Sequence, residues 1–194
     1  MTRGVTNLVF CGVGGQGVLL ASEVVAQVAL EAGLDVKKSE VHGMAQRGGS
    51  VFSHVRFGEK VYSPVIPLGS AHLLVAFEEL EALRYAPYAS PEARVMVNTL
   101  KVNPMTVLAG EASYPSDPVG MLREHFVHVE AVDAMTLALE AGSPRAVNSV
   151  MLGLLSRHLP FEPRLWLSVL EKRVPAKARE INIKAFGLGR ELFS

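Results

Sequence analysis

The chain has 194 residues and a mass of 20.9 kDa, and its 19 lysines and arginines balance its 19 aspartates and glutamates. This length is enough for one domain with a hydrophobic core, and because a neutral chain has no overall field to attract nucleic acid or an anionic membrane, any bound anion must be held by a local site. Cys11 is the single cysteine, which excludes an internal disulfide, a four-cysteine iron–sulfur site and a thiolate zinc site. The apolar segments are too short to span a bilayer. Together with the neutral charge, these features predict a soluble, cytoplasmic protein that binds neither nucleic acid nor membrane.

The first elements of the chain are a strand, a glycine loop, a helix and a second strand. The apolar run Leu8–Cys11 ends at Gly12, as a buried parallel strand typically does. Apolar residues at three- and four-residue spacing then predict an amphipathic helix from Val18 to about Ala32, and Leu34–Lys37 predicts the second strand. This order is typical of the first unit of a Rossmann-like fold.

The next segment departs from a simple repeat of that unit. Val41–Ser50 contains three glycines and few apolar positions, which predicts an ordered loop. Val51–Phe57 and Val61–Ser63 flank the short connection Gly58–Lys60, which predicts a β-hairpin.

The rest of the chain resumes the alternation of strands and helices and ends in helices. Strands are predicted at Leu73–Phe77, Arg94–Asn98 and Phe126–Val129. Helices are predicted at Glu78–Tyr85, Ala134–Glu140 with Asp133 as its N-cap, Val147–His158, Arg164–Arg173 and Lys177–Phe193. We therefore predict a single α/β domain with a three-layer, Rossmann-like, mostly parallel sheet, a β-hairpin insertion and a helical C-terminal half.

The segment 12–17 matches the pattern G-x-G-x-x-G between a predicted strand and a predicted helix. The residues concerned are Gly12, Gly14, Gly15, Gln16 and Gly17. Glycines let a phosphate approach the main chain, and the first turn of the following helix adds unpaired N–H groups and a partial positive charge. The pattern favours a phosphate or carboxylate site, and the alternative is a tight turn that binds nothing.

The identity of a nucleotide at this loop stays open from the residues alone. Glu40 lies near the place where an acidic residue binds the ribose of NAD. Lys37 and Lys38 precede it and would suit a phosphorylated ribose, as in NADP or coenzyme A, or simply form a solvated strand edge.

A second glycine-containing loop follows the second predicted strand, at the edge of the sheet where ligands bind in open α/β folds. Here Arg47 and the amides of Gly48 and Gly49 could bind a carboxylate or phosphate, and His42 could donate a hydrogen bond or titrate near neutral pH. The alternatives are that Arg47 pairs inside the protein and that His42 packs within the loop.

Several segments together resemble the gamma-type domain of 2-oxoacid:ferredoxin oxidoreductases. The segments are G-V-G-G-Q-G at 12–17, S-E-V-H-G-M-A-Q-R-G-G-S at 39–50 and S-H-V-R at 53–56. Within that family, the H-G-M-A-Q-R-G-G form is most similar to the beta subunits of indolepyruvate ferredoxin oxidoreductases. Further similar positions extend over nearly the whole chain, at Tyr62–Pro64, Ala76–Glu78, Asn148, Gly153, Asn182 and Ala185–Phe186. The resemblance implies that residues 1–194 form a single gamma-type domain of the pyruvate/ketoisovalerate oxidoreductase kind.

The resemblance implies a complex that oxidatively decarboxylates arylpyruvates to acyl-CoA and reduces ferredoxin. It places thiamine diphosphate, magnesium and the iron–sulfur clusters on a large alpha subunit, so this chain would be inactive alone. The chain would contribute a phosphate-binding shelf, with coenzyme A at the glycine loop and supporting catalytic roles for Arg47 and His42. Two alternatives are a stand-alone NAD(P)-binding reductase or redox-sensing regulator, and a scaffold whose glycine loop is only a turn.

Other constellations give weaker signals. His125 and His128 are spaced so that a strand would point them to opposite faces, and we predict no metal site. Ser50 lacks the G-x-S-x-G pattern of a hydrolase. Met44 and Phe52 could line an aryl pocket or pack under the hairpin. The apolar surplus of the C-terminal helices could be core or a docking face for the large subunit.

Overall fold

The computed structural model describes residues 4–42 and 49–193, with the backbone alone for residue 42. Within these residues the chain forms one six-stranded sheet. Its strands are β1 (Thr6–Val13), β2 (Asp35–His42), β3 (Ser50–Gly58), β4 (Ala71–Ala76), β5 (Ala89–Asn98) and β6 (His128–Val132). The order across the sheet is β2-β3-β1-β4-β5-β6.

Eight α-helices lie in the described part of the chain. They are α1 (Val18–Glu31), α2 (Glu79–Tyr85), α3 (Met105–Leu108), α4 (Pro118–Arg123), α5 (Ala134–Ala141), α6 (Val147–Leu155), α7 (Pro163–Arg173) and α8 (Arg179–Glu191). Short 3₁₀ turns cover Ala86–Tyr88, Pro144–Ala146 and Ala176–Ala178. Asp133 caps α5 as predicted, because its side chain accepts a hydrogen bond from the Thr136 amide at 3.0 Å.

The sheet is mostly parallel, as predicted. Strands β1, β4, β5 and β6 are parallel neighbours, whereas β3 is antiparallel to both β1 and β2. The β1–α1–β2 unit is therefore present, but β3 is inserted between its two strands. This places the ends of β1 and β2 at the same edge of the sheet, one strand apart.

The predicted hairpin between 51–57 and 61–63 is wrong in its second strand. Strand β3 instead forms a hairpin with β2, and its other edge pairs with β1, so no edge is left for residues 61–63. Those residues belong to an ordered connection. The Val61 amide donates to Asp35 at 2.9 Å, and the guanidinium of Arg56 donates to the Ser63 and Val65 carbonyls at 2.8 and 3.0 Å.

Helices cover both faces of the sheet and make three layers. Alternation along β1 sends Leu8 and Phe10 to one face and Val9 and Cys11 to the other. The first face packs against α1 and α5–α8, and the second packs against α2 and α4.

Most of the apolar residues of α6 and α7 form core. Met151, Leu152, Leu154, Leu155, Trp166 and Leu170 are at most 2% exposed. They belong to the same cluster as α1 and the sheet.

No described helix is long and apolar enough to cross a membrane.

Candidate functional site

The predicted glycine loop is a tight turn between β1 and α1. Gly15 and Gly17 have φ of 98° and 77°, a left-handed backbone that favours glycine. Gly17 is the N-cap of α1, and no acidic residue occupies the first turn of that helix. The first turn of α1 therefore presents no negative side chain that would repel an anion.

Packing requires a glycine at position 12. It lies inside β1, paired with Val51, and is buried. A Cβ atom on Gly12 would lie 2.6 Å from Oε1 of Gln16 and 3.0 Å from Cβ of Phe77. Its missing side chain lets the loop close over the strand.

A cleft of about 300 Å³ opens beside the loop at the carboxyl edge of the parallel strands. It is bounded by the ends of β1, β4 and β5 and by the starts of α1, α5 and α6. The lining residues are Gly15, Gln16, Gly17, Phe77, Asn98, Leu100, Met135, Pro144, Arg145, Val147 and Asn148. Three of the predicted glycine-loop residues thus line the cleft.

Two asparagines hold the walls of the cleft together. Asn98, 1% exposed at the end of β5, donates to the Phe77 carbonyl and accepts from the Ala134 amide, each at 3.1 Å. Asn148, at the start of α6, donates to the Gly17 carbonyl at 3.3 Å. These bonds connect β4, β5, α5, α6 and the glycine loop around one space.

Gln16 lines the cleft and carries a buried hydrogen-bond donor. Its Oε1 accepts from the Val13 amide at 2.7 Å, which fixes the side-chain amide so that Nε2 is the free donor. Nε2 is buried and has no hydrogen-bond partner among residues 4–42 and 49–193. A buried donor without a partner is unfavourable, so a ligand oxygen at this position would be stabilised.

Arg145 places a positive charge at the cleft. It is exposed in the 3₁₀ turn before α6, and its guanidinium makes no hydrogen bond or ion pair with the described part of the protein. It is the one charged residue of the described lining. The cleft therefore favours an anion with several oxygen atoms, such as a phosphate.

The second predicted loop falls largely outside the described residues. Arg47, Gly48, Met44 and the His42 side chain all lie there, so their predicted roles stay predictions. Gly49 is described, and its carbonyl accepts a hydrogen bond from the Gly14 amide at 2.8 Å. The two predicted loops therefore meet where β3 begins beside the end of β1.

The candidate ribose residues form ion pairs with neighbouring side chains. Lys38 pairs with Glu40 and also lies 3.8 Å from Glu23, while Lys37 pairs with Asp35 at 2.6 Å. The hydrogen bond from Lys37 is the main reason that the pKa of Asp35 is lowered. Because β3 separates β2 from β1, this cluster is an ion-paired strand edge one strand away from the glycine loop.

The histidines, Ser50 and Phe52 form no further site within the described residues. No group of three metal-ligating side chains occurs there, and Ser50 bonds to Glu81 and Tyr85 rather than to a histidine. Phe52 packs against Tyr85 with ring centroids 4.6 Å apart, inside an aromatic cluster.

Sequence reasoning missed Asn98 and Arg145 as cleft residues. Asn98 could have been found as a polar residue ending a buried strand at the ligand edge of the sheet. Arg145 could have been found as a cation just before a helix that starts opposite the glycine loop, but this requires knowing that α6 packs there.

Comparisons with known proteins give one consistent family. The family model described as pyruvate ferredoxin/flavodoxin oxidoreductase matches residues 7–192. Proteins named indolepyruvate oxidoreductase subunit IorB are similar: that of Archaeoglobus fulgidus is 42% identical, covering 94% of this chain and 92% of its own, and that of Pyrococcus horikoshii is 40% identical, covering 94% and 93%.

Solved structures share the fold at lower identity. A pyruvate oxidoreductase subunit PORC from Thermotoga maritima superimposes with a TM-score of 0.72 at 24% identity and 97% coverage of both chains. A 2-oxoglutarate:ferredoxin oxidoreductase from Magnetococcus marinus, solved with 2-oxoglutarate, coenzyme A and succinyl-CoA, gives 0.74 at 20% identity, covering 97% of this chain and 31% of that one.

Proposed function

Because the chain belongs to the pyruvate ferredoxin/flavodoxin oxidoreductase family, we propose that it is the cluster-free small subunit of a 2-oxoacid:ferredoxin oxidoreductase complex. The complex oxidatively decarboxylates indolepyruvate or a related arylpyruvate to the acyl-CoA and reduces ferredoxin. Relatives 40–42% identical over 94% of the chain carry the name of an indolepyruvate oxidoreductase subunit, which supports this substrate class. The chain acts as one gamma-type domain in the cytoplasm.

The observation that carries the role of this chain is the anion-directed cleft at the glycine loop. The start of α1, the unpartnered Nε2 of Gln16 and the unpaired guanidinium of Arg145 are donors of the kind that binds phosphate. Coenzyme A is the reactant of the proposed reaction that carries phosphates. We therefore assign its phosphate-bearing part to this cleft.

The size of the cleft supports a shared site. About 300 Å³ is at the lower end of sites that bury a drug-sized ligand, so this cleft holds only part of coenzyme A. The remainder of the coenzyme, with its thiol, extends to a partner chain where the 2-oxoacid reacts.

The large alpha subunit holds thiamine diphosphate, magnesium and the iron–sulfur clusters. The sequence contains a single cysteine, Cys11, which is buried in β1 and whose pKa is raised by burial and by Glu81 and Glu78. A neutral, isolated thiol does not hold an iron–sulfur cluster. Arg47 and His42 keep their predicted supporting roles.

The experiment compares the chain alone with the chain assembled anaerobically with the large subunit. The assay is indolepyruvate-dependent and CoA-dependent reduction of ferredoxin. We expect activity only in the complex, and Arg145→Ala should raise the KM for CoA about tenfold or more, since a hydrogen bond to a charged group contributes about 1.5–3 kcal/mol. Arg123→Ala, which removes an exposed arginine on α4 away from the cleft, should leave the KM unchanged.

The same preparations separate the proposal from its rival. A stand-alone reductase would bind NAD(P) tightly and show activity without a partner. Tight nicotinamide binding by the purified chain, or an assembled complex that reduces ferredoxin without CoA, would overturn the proposed function.

A further inference from the structure

The start of β3 lies beside the end of β1, where the glycine loop begins. Ser50, the first residue of β3, is opposite Val13, the last residue of β1. The neighbouring Gly49 carbonyl accepts the hydrogen bond from the Gly14 amide at 2.8 Å. Any shift of Ser50 is therefore passed through one peptide unit to the glycine loop.

A buried carboxylate holds Ser50 in place. Glu81, 4% exposed in α2, accepts a hydrogen bond from the Ser50 hydroxyl through Oε2 and one from Nε of Arg84 through Oε1 at 3.0 Å. Ser50 has one hydroxyl proton, which goes to the carboxylate, so the Tyr85 hydroxyl 3.0 Å away is the donor to the Ser50 oxygen. Burial is the largest effect on the pKa of Tyr85 and raises it, the hydrogen bond with Ser50 lowers it by less, and the charge of Glu81 raises it further, so the net shift is upward and the hydroxyl keeps its proton.

This arrangement is costly for packing alone. Removing a carboxylate from water costs several kcal/mol, and an apolar side chain of similar size often gives an equally stable core. The described partners of the Glu81 carboxylate are Arg84 at the surface and Ser50 at the start of β3. The interaction that an apolar residue could not replace is the one with Ser50.

We propose that Glu81 is a positioning residue: through Ser50 it fixes the Gly49 carbonyl and hence the Gly14 amide, holding the glycine loop in the shape that binds coenzyme A. That the ligand is coenzyme A rests on the proposed function. The chain of contacts from Glu81 through Ser50 and Gly49 to Gly14, which we call the anchor, rests on the structure alone.

The first measurement concerns the anchor alone. Hydrogen exchange of the full chain, followed in the peptide that covers the glycine loop, should be faster in Ser50→Ala than in the wild type. Ser50→Thr keeps the hydroxyl and should restore slow exchange. Glu81→Gln, which keeps the shape of the side chain without its charge, should give an intermediate rate.

Tyr114→Phe is the matched control. The Tyr114 hydroxyl donates to the buried carboxylate of Glu78 at 2.6 Å, so its loss removes a similar bond at the start of the same helix. Tyr114 has no hydrogen bond to either loop among the described residues. It should therefore lower stability without changing exchange at the glycine loop.

The second measurement is made on the assembled complex. Positioning effects of this kind change affinity by about 2- to 30-fold, so Ser50→Ala should raise the KM for CoA by a factor in that range. The kcat at saturating CoA should stay within about twofold, because saturating ligand restores the loop. Ser50→Thr should return the KM to the wild-type value.

The outcomes distinguish the anchor from the ligand. Unchanged exchange in Ser50→Ala, or an equal change in Tyr114→Phe, would overturn the positioning role of Glu81. Faster exchange in Ser50→Ala with a wild-type KM for CoA in both Ser50→Ala and Arg145→Ala would instead overturn the assignment of coenzyme A to the cleft.

Discussion

Gly153 and Gly187 give a sharp test of how the helical half of the protein is packed. Helices α6 and α8 cross with their backbones in contact at Gly153 and Gly189. A Cβ atom on Gly153 would overlap the Phe186 carbonyl oxygen and lie 2.9 Å from the Arg190 nitrogen, whereas ordinary contacts begin at about 3.5 Å. Since these atoms belong to the backbone, no side-chain rotation relieves the overlap.

The expected effect of Gly153→Ala is the difference of two terms. Overpacking costs about 3 kcal/mol, at the upper end of the usual range because two helix backbones must separate. Replacing glycine in a helix interior with alanine returns about 1 kcal/mol. The free energy of unfolding should fall by about 2 kcal/mol, which lowers the Tm by about 4–8 °C in a chain of this size.

Gly187→Ala is the matched control within the same helix pair. A Cβ atom at position 187 meets nothing within 4 Å, so the propensity gain stands alone. The Tm should rise by about 2–4 °C. Thermal unfolding of the full chain measures both variants, and a Tm for Gly153→Ala equal to or above that of Gly187→Ala would refute the close crossing of α6 and α8.

Three further predictions concern the cleft and its surroundings. Gly17→Ala and Gly33→Ala both place alanine at positive φ, which costs about 1–2 kcal/mol of stability each. Only the alanine at position 17 also overlaps the Asn148 side chain, so only Gly17→Ala should raise the KM for CoA in the complex. Asn98→Leu leaves a buried amide and a buried carbonyl unpaired and should lower the free energy of unfolding by about 2–6 kcal/mol in a denaturant titration; a loss below about 1 kcal/mol would contradict the assigned bonds. His54 has a lowered pKa because it is buried and lies near Arg56, so below about pH 6.5 the unfolded chain takes up a proton that the folded chain does not, and stability falls as the pH falls. The difference in unfolding free energy between the wild type and His54→Asn should therefore shrink from pH 7.5 to pH 5.5, and a constant difference would argue against a buried neutral imidazole.

Local signals predicted the elements that depend on local structure. The run Leu8–Cys11 and the helical spacing after Val18 give β1 and α1 because strand and helix periods are visible within a few residues. Asp133 was found as an N-cap for the same reason. The family resemblance, carried by segments 12–17 and 39–50, was confirmed by the match over residues 7–192.

The pairing of β3 could not be predicted in this way. Its sequence, S-V-F-S-H-V-R-F-G, places apolar residues on both faces of the sheet. This fits an interior strand, which has a neighbouring strand on each edge and is packed on both faces. A short connection at Gly58–Lys60 therefore looked like a hairpin turn, although the partners of β3 lie earlier in the chain. The helices α3 and α4 were missed because each has at most six residues and shows no helical period.

The cleft was only half visible in the sequence for a related reason. Its glycine loop is one continuous segment with a recognised pattern, whereas Asn98, Arg145 and Asn148 come from three elements that meet only in the folded chain. A polar residue at the end of a strand or the start of a helix is common, and its meaning depends on which other ends lie beside it.

The chemistry of the cleft also explains why this chain would need a partner. Its described lining offers backbone amides, side-chain amides and one guanidinium, and it contains no thiol, hydroxyl, imidazole or carboxylate side chain. Such groups bind an anion and do not transfer protons or form bonds with a substrate. Binding of this uniform kind lowers the KM of a substrate without lowering the barrier of the chemical step. Such binding accelerates a reaction only when it positions a reactant next to catalytic groups on another subunit. The reaction then becomes a step within one complex and no longer needs an encounter between separate molecules. A cleft that grips the phosphate-bearing part of coenzyme A, next to a subunit that holds the oxoacid, meets that condition.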